Sequence, residues 1–432
     1  VTDVIVLGGG PAGCVTARRL ALSGVRVALL SSGAVAGREG LSARTCALLA
    51  EEGIDAGIGG LSGPVARVGE WGVGRRVVGQ EWLVDRERLA ADLRAAAAGA
   101  GVVVHDELAM DISGTRPEVS VQTRSGRTLT ATCLVDARGR RGPEVHGPTL
   151  VATGRAYRRR SPLPPGTAIH ALAWGWCWIV AQGTQLWVQV AGRPGDGHPE
   201  GWVARAAAEL PALAAALDGA EPAGEAVARP AHARRGAGVS AIGVFRVGDA
   251  AVGLDPLSGQ GVYEALRSAR VTVAAVRSML DGGDPCPVDR FLREREDALW
   301  ERVVATATMF YAENASRGPF WAETAAQYRA IAPPASPLDP RATIERRPVL
   351  DGDRIRERDV LVTAAQPRGV WLVDGVSVVD LIHYIESAGS VTPGDAAVAL
   401  ARPPAAIVAA ARWLRGAGAW PARANPSLVA GG

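Results

Sequence analysis

The chain has 432 residues, 48% of them hydrophobic, 21% charged and only 5% aromatic, with a formal net charge of +3. That length exceeds what one hydrophobic core covers, so two or three globular domains are expected. All 47 basic residues are arginine, which excludes Schiff-base chemistry, a P-loop lysine and any lysine general acid.

The first predicted elements are strand, glycine turn, helix and strand: "DVIVL", "GGGPAG", Cys14 to Ser23, then "VRVALL". This βαβ start shows no basic flank, long apolar segment or cleavage site of a signal peptide, and no apolar stretch approaches the roughly 20 residues of a bilayer-spanning helix. A cytoplasmic protein outside the membrane is expected. Cys14, Cys46, Cys133, Cys177 and Cys286 are odd in number and never form a C-x-x-C pair, which argues against a disulfide framework, a zinc site or a cysteine-ligated cluster.

Gly8, Gly10 and Gly13 spell G-x-G-x-x-G between a strand and a helix. Gly8 permits the tight turn, Gly10 lets the backbone approach a pyrophosphate, and Gly13 lets helix and strand pack closely. The helix start, with Pro11 at its first position and the N–H of Ala12 after it, then stabilises the phosphate charge. The residue ending the second strand is normally acidic and holds the adenosine ribose; here it is Ser31, followed by Ser32, a weaker hydrogen-bonding partner than a carboxylate.

Helical periodicity follows over Thr45 to Glu52, and "VDRERLAADLRAAAAGAG" reads as a helix closed by glycine before another strand. "TLTATCLVDARGR" is a strand running into a turn. From Ala152 to Val239 the texture changes to alternating strands such as "TQLWVQVAG" and alanine-rich helix, a sheet-based second domain. In its segment "AWGWCWIV", period two puts Trp174, Trp176 and Trp178 on one face, which suits a packed core and an aromatic pocket wall equally. His170, just upstream, is a candidate proton handler or a structural histidine.

The nucleotide-domain texture returns with "GVFRVGDAAVGLDPLSGQGVYEAL". Asp249 ends a strand where a carboxylate can accept hydrogen bonds from a ribitol chain, which only a flavin has. Pro256, Gly259, Gln260 and Gly261 then lead into a helix whose first N–H groups can face the flavin pyrimidine edge, where negative charge accumulates on reduction. These two signals select FAD over NAD. Segments 1–151 and 240–333 are therefore expected to form an FAD-binding domain, with a substrate domain at 152–239 between them. The stretch "IAPPASPLDP" marks a boundary. Residues 340–432 read as a winged-helix-like module of a short strand and three small helices. Its last helix is mostly Ala, Val and Ile with Arg412 and Arg415 only at its end, so protein contact or packing is expected of it rather than nucleic-acid binding. The expected fold class is α/β: a Rossmann-like (GR2-type) FAD domain, an inserted sheet-based substrate domain and a small helical C-terminal domain.

The ordered set "GGGPAG", "VDRERL", "LVDARG" and "GDAA…DPLSGQG" spans about the first 330 residues. In it the chain resembles flavoproteins of the aromatic-hydroxylase and tryptophan-halogenase superfamily. The resemblance implies that Arg44 and Arg86 contact the phosphates or the flavin side, and that Ala137 and Gly139 approach the adenosine. Trp176-Cys177-Trp178-Ile179 is similar to the halogenase signature W-x-W-x-I-P up to Val180, and "SRGPFWAE" is similar to a segment near the end of that family's flavin domain. This implies that Trp176 and Trp178 line the substrate side of the isoalloxazine. The halogenases' active-site lysine has no counterpart in a sequence without lysine. Hydroxylation through a C4a-hydroperoxyflavin, formed from reduced FAD and O2, is therefore the expected chemistry.

Within the superfamily the chain resembles the flavin monooxygenases that hydroxylate a peptidyl tryptophan during tryptophylquinone cofactor biogenesis. That implies a protein or peptide substrate docked with help of the C-terminal module, and no nucleic-acid or membrane partner. The alternatives are a flavin-dependent halogenase or prenyl-reductase-like flavin reductase, and a non-catalytic FAD-binding maturation scaffold. No second fingerprint is present, so electrons are expected from NAD(P)H bound transiently or from external reduced flavin.

Overall fold

Four consecutive buried apolar residues, Val4–Leu7, form the central strand of a five-stranded sheet, as a strand covered on both faces must. The order is Val244–Arg246, Cys133–Asp136, Val4–Leu7, Val27–Leu30 and Val103–His105, and every pair is parallel. The helices Pro11–Leu22, Arg86–Gly99 and Gly261–Leu280 belong to this layer, with Pro11–Leu22 packed on both of the others. Such an open parallel sheet binds its ligand at the carboxyl ends of its strands. The architecture is the mixed α/β, Rossmann-like one that the sequence implies. This computed structural model describes all residues except 1, 34–35, 55–56, 73–74, 142–143, 237–242, 334–340, 389–390 and 421–432. The expected boundary at 239/240 and most of the proline-rich stretch lie outside the described residues.

A second, seven-stranded sheet is built around a long hairpin, Val151–Leu172 and Gly175–Gly192, joined by the turn residues Ala173 and Trp174. Val151–Leu172 also pairs in parallel with Ser62–Glu70, which continues into Arg75–Asp85 and Arg38–Leu41. The sheet thus recruits three strands that precede residue 151 in the chain. The alanine-rich segment behind it forms two helices, Trp202–Glu209 and Pro211–Leu217, split by Pro211.

The chain divides into two compact units, residues 1–281 with 295–333, and 282–294 with 334–432. In the second unit, Thr343–Asp351, Arg354–Thr363 and Gln366–Val370 form an antiparallel sheet, and a small hairpin, Leu372–Val373 with Val376–Ser377, precedes three helices. These helices, Val378–Ala388, Pro393–Ala399 and Pro404–Gly416, share a core with Leu361 and Val376. The last of them buries Ile407, Ala410, Ala411 and Leu414, so its apolar face is core. Among the described residues, no single helix is long and apolar enough to cross a membrane, and no cluster of side chains suits a metal ion.

Candidate active site

The fingerprint loop is packed as tightly as its glycines allow. A Cβ on Gly8, which sits at φ +109°, would stand 2.3 Å from the Ala137 carbonyl oxygen, and one on Gly13 would stand 1.9 Å from the carbonyl oxygen of Gly8. Gly10 is different, with nothing within 4 Å of the same point. It caps the Pro11–Leu22 helix without a side-chain hydrogen bond, and no acidic residue occupies the first turn. The N–H groups of Ala12 and Gly13, with open space above Gly10, make a cradle suited to a pyrophosphate.

Ser31, buried at the end of its strand, lies beside Gly9. An arginine that the motifs did not single out, Arg94, points a guanidinium nitrogen at the Ser31 hydroxyl, 3.5 Å away, and at the Gly33 carbonyl, 3.4 Å away. The ribose end of the cradle therefore presents a hydroxyl and a cation where a carboxylate is usual. Arg94→Ala is expected to weaken FAD binding about tenfold and to flatten its salt dependence, as loss of one charge-assisted contact would. Fluorescence titration of apoprotein at two ionic strengths measures both, and unchanged affinity removes Arg94 from the site.

The second motif lies next to the first. A Cβ on Gly248 would meet Ala12 at 2.8 Å, which brings the Gly248–Ala250 turn against the fingerprint helix. Asp249 accepts from Arg140 Nε at 3.0 Å, and the same guanidinium donates to the carbonyls of His232 and Leu254. Gly139, at φ +66°, opens the short turn that delivers Arg140. Asp249 is thus oriented by an ion pair and remains partly exposed.

Pro256, Gly259 and Gln260 are exposed on top of a tight turn, while Asp255 and Leu257 are buried beneath it. Gly259 is left-handed at φ +60°, and Gly261 begins a 20-residue helix whose N-cap, Gln260, makes no side-chain hydrogen bond. Asp255 fixes the turn from below. Its carboxylate accepts from Leu257 N at 3.0 Å, Tyr311 O–H at 3.1 Å and Tyr328 O–H at 2.8 Å. Burial pushes this carboxyl up to about 6 from 3.8, with the three hydrogen bonds and the Arg140 charge opposing it. Because folding raises the value, ionisation of Asp255 costs stability: the cost is absent below about pH 3.8 and complete above about pH 6. The melting temperature of Asp255→Asn relative to wild type should therefore rise between those limits; a constant difference would contradict the assignment.

Arg44 and Arg86 flank the site. The Arg44 guanidinium lies 4.9 Å over the Tyr263 ring, in the first turn of the Gly261–Leu280 helix. Arg86 pairs with Glu39 at 2.9 Å and lies with Arg229 beside Gly37. Burial first, then the Arg86 charge, pushes Arg229 down to about 10.

The sheet supplies the opposite wall. Register pairs Ile169 with Trp178 and Ala171 with Trp176, so both tryptophans share a face with Thr167 and, one strand over, Arg67. That face looks at the turn: Arg67 would meet a Cβ on Gly259 at 3.1 Å, and Leu257 falls in the same buried cluster as Trp176. Buried Glu81 accepts a hydrogen bond from Thr167 and lies 3.9 Å from Arg67, so the three form a polar group beside the tryptophans.

Two expectations change. Trp174 does not share the face of Trp176 and Trp178, because it lies in the hairpin turn, where the pleat's alternation is broken. It packs on Trp202 at 5.8 Å on the other side of the sheet and donates to Glu209. His170 pairs with Cys177, so it too lies opposite Trp176 and Trp178, with Nδ1 2.9 Å from Glu70. The histidine is a cross-strand partner of Glu70 and not a proton handler at the aromatic wall. The neighbouring Cys177 thiol is pushed up to about 12 by burial and is no nucleophile.

Comparison with known proteins bears on this geometry. The family model of the lycopene cyclase proteins matches residues 3–157. Among solved structures, the chain resembles the peptidyl tryptophan dihydroxylase QhpG, essential for tryptophylquinone cofactor biogenesis, at 28% identity and a TM-score of 0.74, over 89% of this chain and 93% of that one. It also resembles the myxobacterial chondrochloren halogenase CndH, an FAD-dependent halogenase, at 23% identity and TM-score 0.65, over 75% and 85% of the two chains. The flavin-dependent halogenase CmlS follows at 18% identity and TM-score 0.70, over 90% and 92%. No curated protein sequence matches the chain.

Proposed function

We propose that this chain, an FAD-dependent oxidoreductase of the aromatic-hydroxylase and halogenase-like superfamily, adds oxygen to an electron-rich aromatic ring. The observation that carries the choice is an aromatic wall facing the flavin turn in a sequence that contains no lysine. Bound FAD, reduced by NAD(P)H or exchanged for external reduced flavin, supplies an oxygen atom drawn from O2. The residues present fit that group: an uncapped helix N-terminus with open space at Gly10, a second uncapped N-terminus at Gly261, and an oriented carboxylate at Asp249.

In this reading the Pro11–Leu22 helix and Arg94 hold the diphosphate and ribose, while Asp249 and Arg140 hold the ribitol end. The N–H groups at the start of the Gly261–Leu280 helix would stabilise negative charge on the reduced group. Trp176, buried behind the wall, excludes water, and the partly exposed Trp178 offers a face for the aromatic substrate to stack on. Glu81, held by Thr167 and Arg67, is a buried carboxylate on this wall able to accept a substrate N–H or the ring proton displaced by oxygen.

The substrate we infer is a tryptophan side chain within a polypeptide, during biogenesis of a protein-derived quinone, with the second unit contributing to docking. The similarity to QhpG, over most of both chains, supports this reading. Incubation with reduced flavin, O2 and a tryptophan-bearing partner polypeptide should add about 16 or 32 daltons to the partner. A gain of chlorine instead would favour the halogenase reading, and flavin reoxidation without any product the scaffold reading.

A further inference from the structure

The buried carboxylate under the flavin turn has no role in the oxygen chemistry above, yet the turn sets it directly behind the place where charge would change. Asp255 caps the Pro256–Ser258 turn, Gly259 reverses the chain, and Gly261 opens the helix whose N–H groups are free. The exposed side of this turn is Pro256, Gly259 and Gln260, and its underside is Asp255 and Leu257. Negative charge collecting on the exposed side therefore faces a carboxylate across one turn of backbone, with little water between to screen it.

Three elements each bring one group to Asp255. Tyr311 comes from the Pro285–Ala312 helix, Tyr328 from the Pro319–Ala330 helix, and the Arg140 charge from the Gly139–Arg141 turn. Tyr328 is committed twice, since its oxygen also accepts from Ala233 N at 3.0 Å. Arg140 is divided among Asp249 and two carbonyls, so it does not neutralise Asp255 alone. Behind Tyr311, the Trp176 indole N–H acts on the phenol oxygen without closing a hydrogen bond of normal geometry.

We propose that Asp255 takes up a proton when the bound FAD is reduced, so that reduction draws two protons per electron pair where an isolated anionic reduced flavin draws one. This rests on the FAD-binding reading. The balance is two electrons from a reductant such as dithionite, one proton to the flavin ring, and one proton from solvent that converts the Asp255 carboxylate to the acid by way of the tyrosine hydroxyls. Asp255 acts as a positioning residue for the turn, holding its geometry while the second proton cancels the repulsion. The raised value of this carboxyl, about 6, sets it close enough to neutrality for one added charge to move it across.

The test is the midpoint potential of the flavin in the holoprotein, followed spectroelectrochemically from about pH 5.5 to 8.5. Wild type should show a segment near neutrality in which two protons accompany each electron pair while the absorbance of the reduced flavin remains that of its anion. Asp255→Asn should draw one proton throughout that segment. Tyr311→Phe, which removes a donor favouring the carboxylate, should carry the segment to higher pH, and it decides the matter if Asp255→Asn does not retain FAD. One proton per electron pair in wild type, or an unmoved segment in Tyr311→Phe, overturns the proposal. A folded protein that binds no flavin overturns the FAD reading instead.

Discussion

Gly10→Val is expected to abolish FAD binding in a protein that still folds, whereas Gly13→Ala abolishes binding and disrupts the first βαβ unit together. The two positions are three residues apart in one motif, but they have different neighbours. At Gly13 a single methyl would stand 1.9 Å from the Gly8 carbonyl oxygen, and Gly8 has no room to retreat, since a Cβ on it would stand 2.3 Å from the Ala137 carbonyl oxygen. The helix would have to move off the sheet, an overpacking cost of about 1–3 kcal/mol or more. At Gly10 nothing lies within 4 Å. The first carbon of a side chain there is free of contacts and points into the space above the helix N-terminus, so the apoprotein should melt near the wild-type temperature. FAD affinity should drop at least about a hundredfold, the equivalent of roughly 2.7 kcal/mol. Melting of the apoproteins and FAD titration separate the two effects. A Gly10→Val protein that purifies yellow at full occupancy would place the pyrophosphate elsewhere.

The tryptophans divide in a similar way. Trp176 is 2% exposed and packs in one cluster with Leu257, Tyr311 and Trp321, so Trp176→Ala leaves a large cavity and should cost about 3–5 kcal/mol. Trp178 is only partly buried and lies between that cluster and the Val65, Leu83 and Trp187 group. Trp178→Leu should keep the melting temperature within a few degrees while the ratio of product to flavin oxidised falls about tenfold, the remainder appearing as hydrogen peroxide. Hydroxylation that stays coupled in Trp178→Leu would mark the pair as packing alone.

The two glycine turns of the candidate site were legible because their signal is local. Turn, cradle and helix start fall within six residues at Gly8–Gly13 and again within seven at Asp255–Gly261, so spacing alone announces them. What sequence could not show is what meets across the fold. Tyr311 and Tyr328 reach Asp255 from 56 and 73 residues away, and Arg140 reaches Asp249 from 109. Arg94 sits in an ordinary alanine-rich helix with nothing to single it out before the fold sets it beside Ser31. The strands Arg38–Leu41, Ser62–Glu70 and Arg75–Asp85 were hidden because glycines and charged residues interrupt their alternation. The side on which His170 lies was within reach: a two-residue turn at Ala173 and Trp174 fixes its pairing with Cys177, and so the face opposite Trp176.

That hairpin turn makes the sheet a partition between two chemical environments. Trp174 and Trp176 are two residues apart, yet one packs on Trp202 behind the sheet and the other on Leu257 before it. On the proposed function, oxidants that escape during futile turnover would arise on the Trp178 side only. The strand then serves as its own dosimeter: peptide mapping after prolonged uncoupled cycling should find oxidised indole at position 178, which is only partly buried, with Trp174 behind the sheet spared as an internal control.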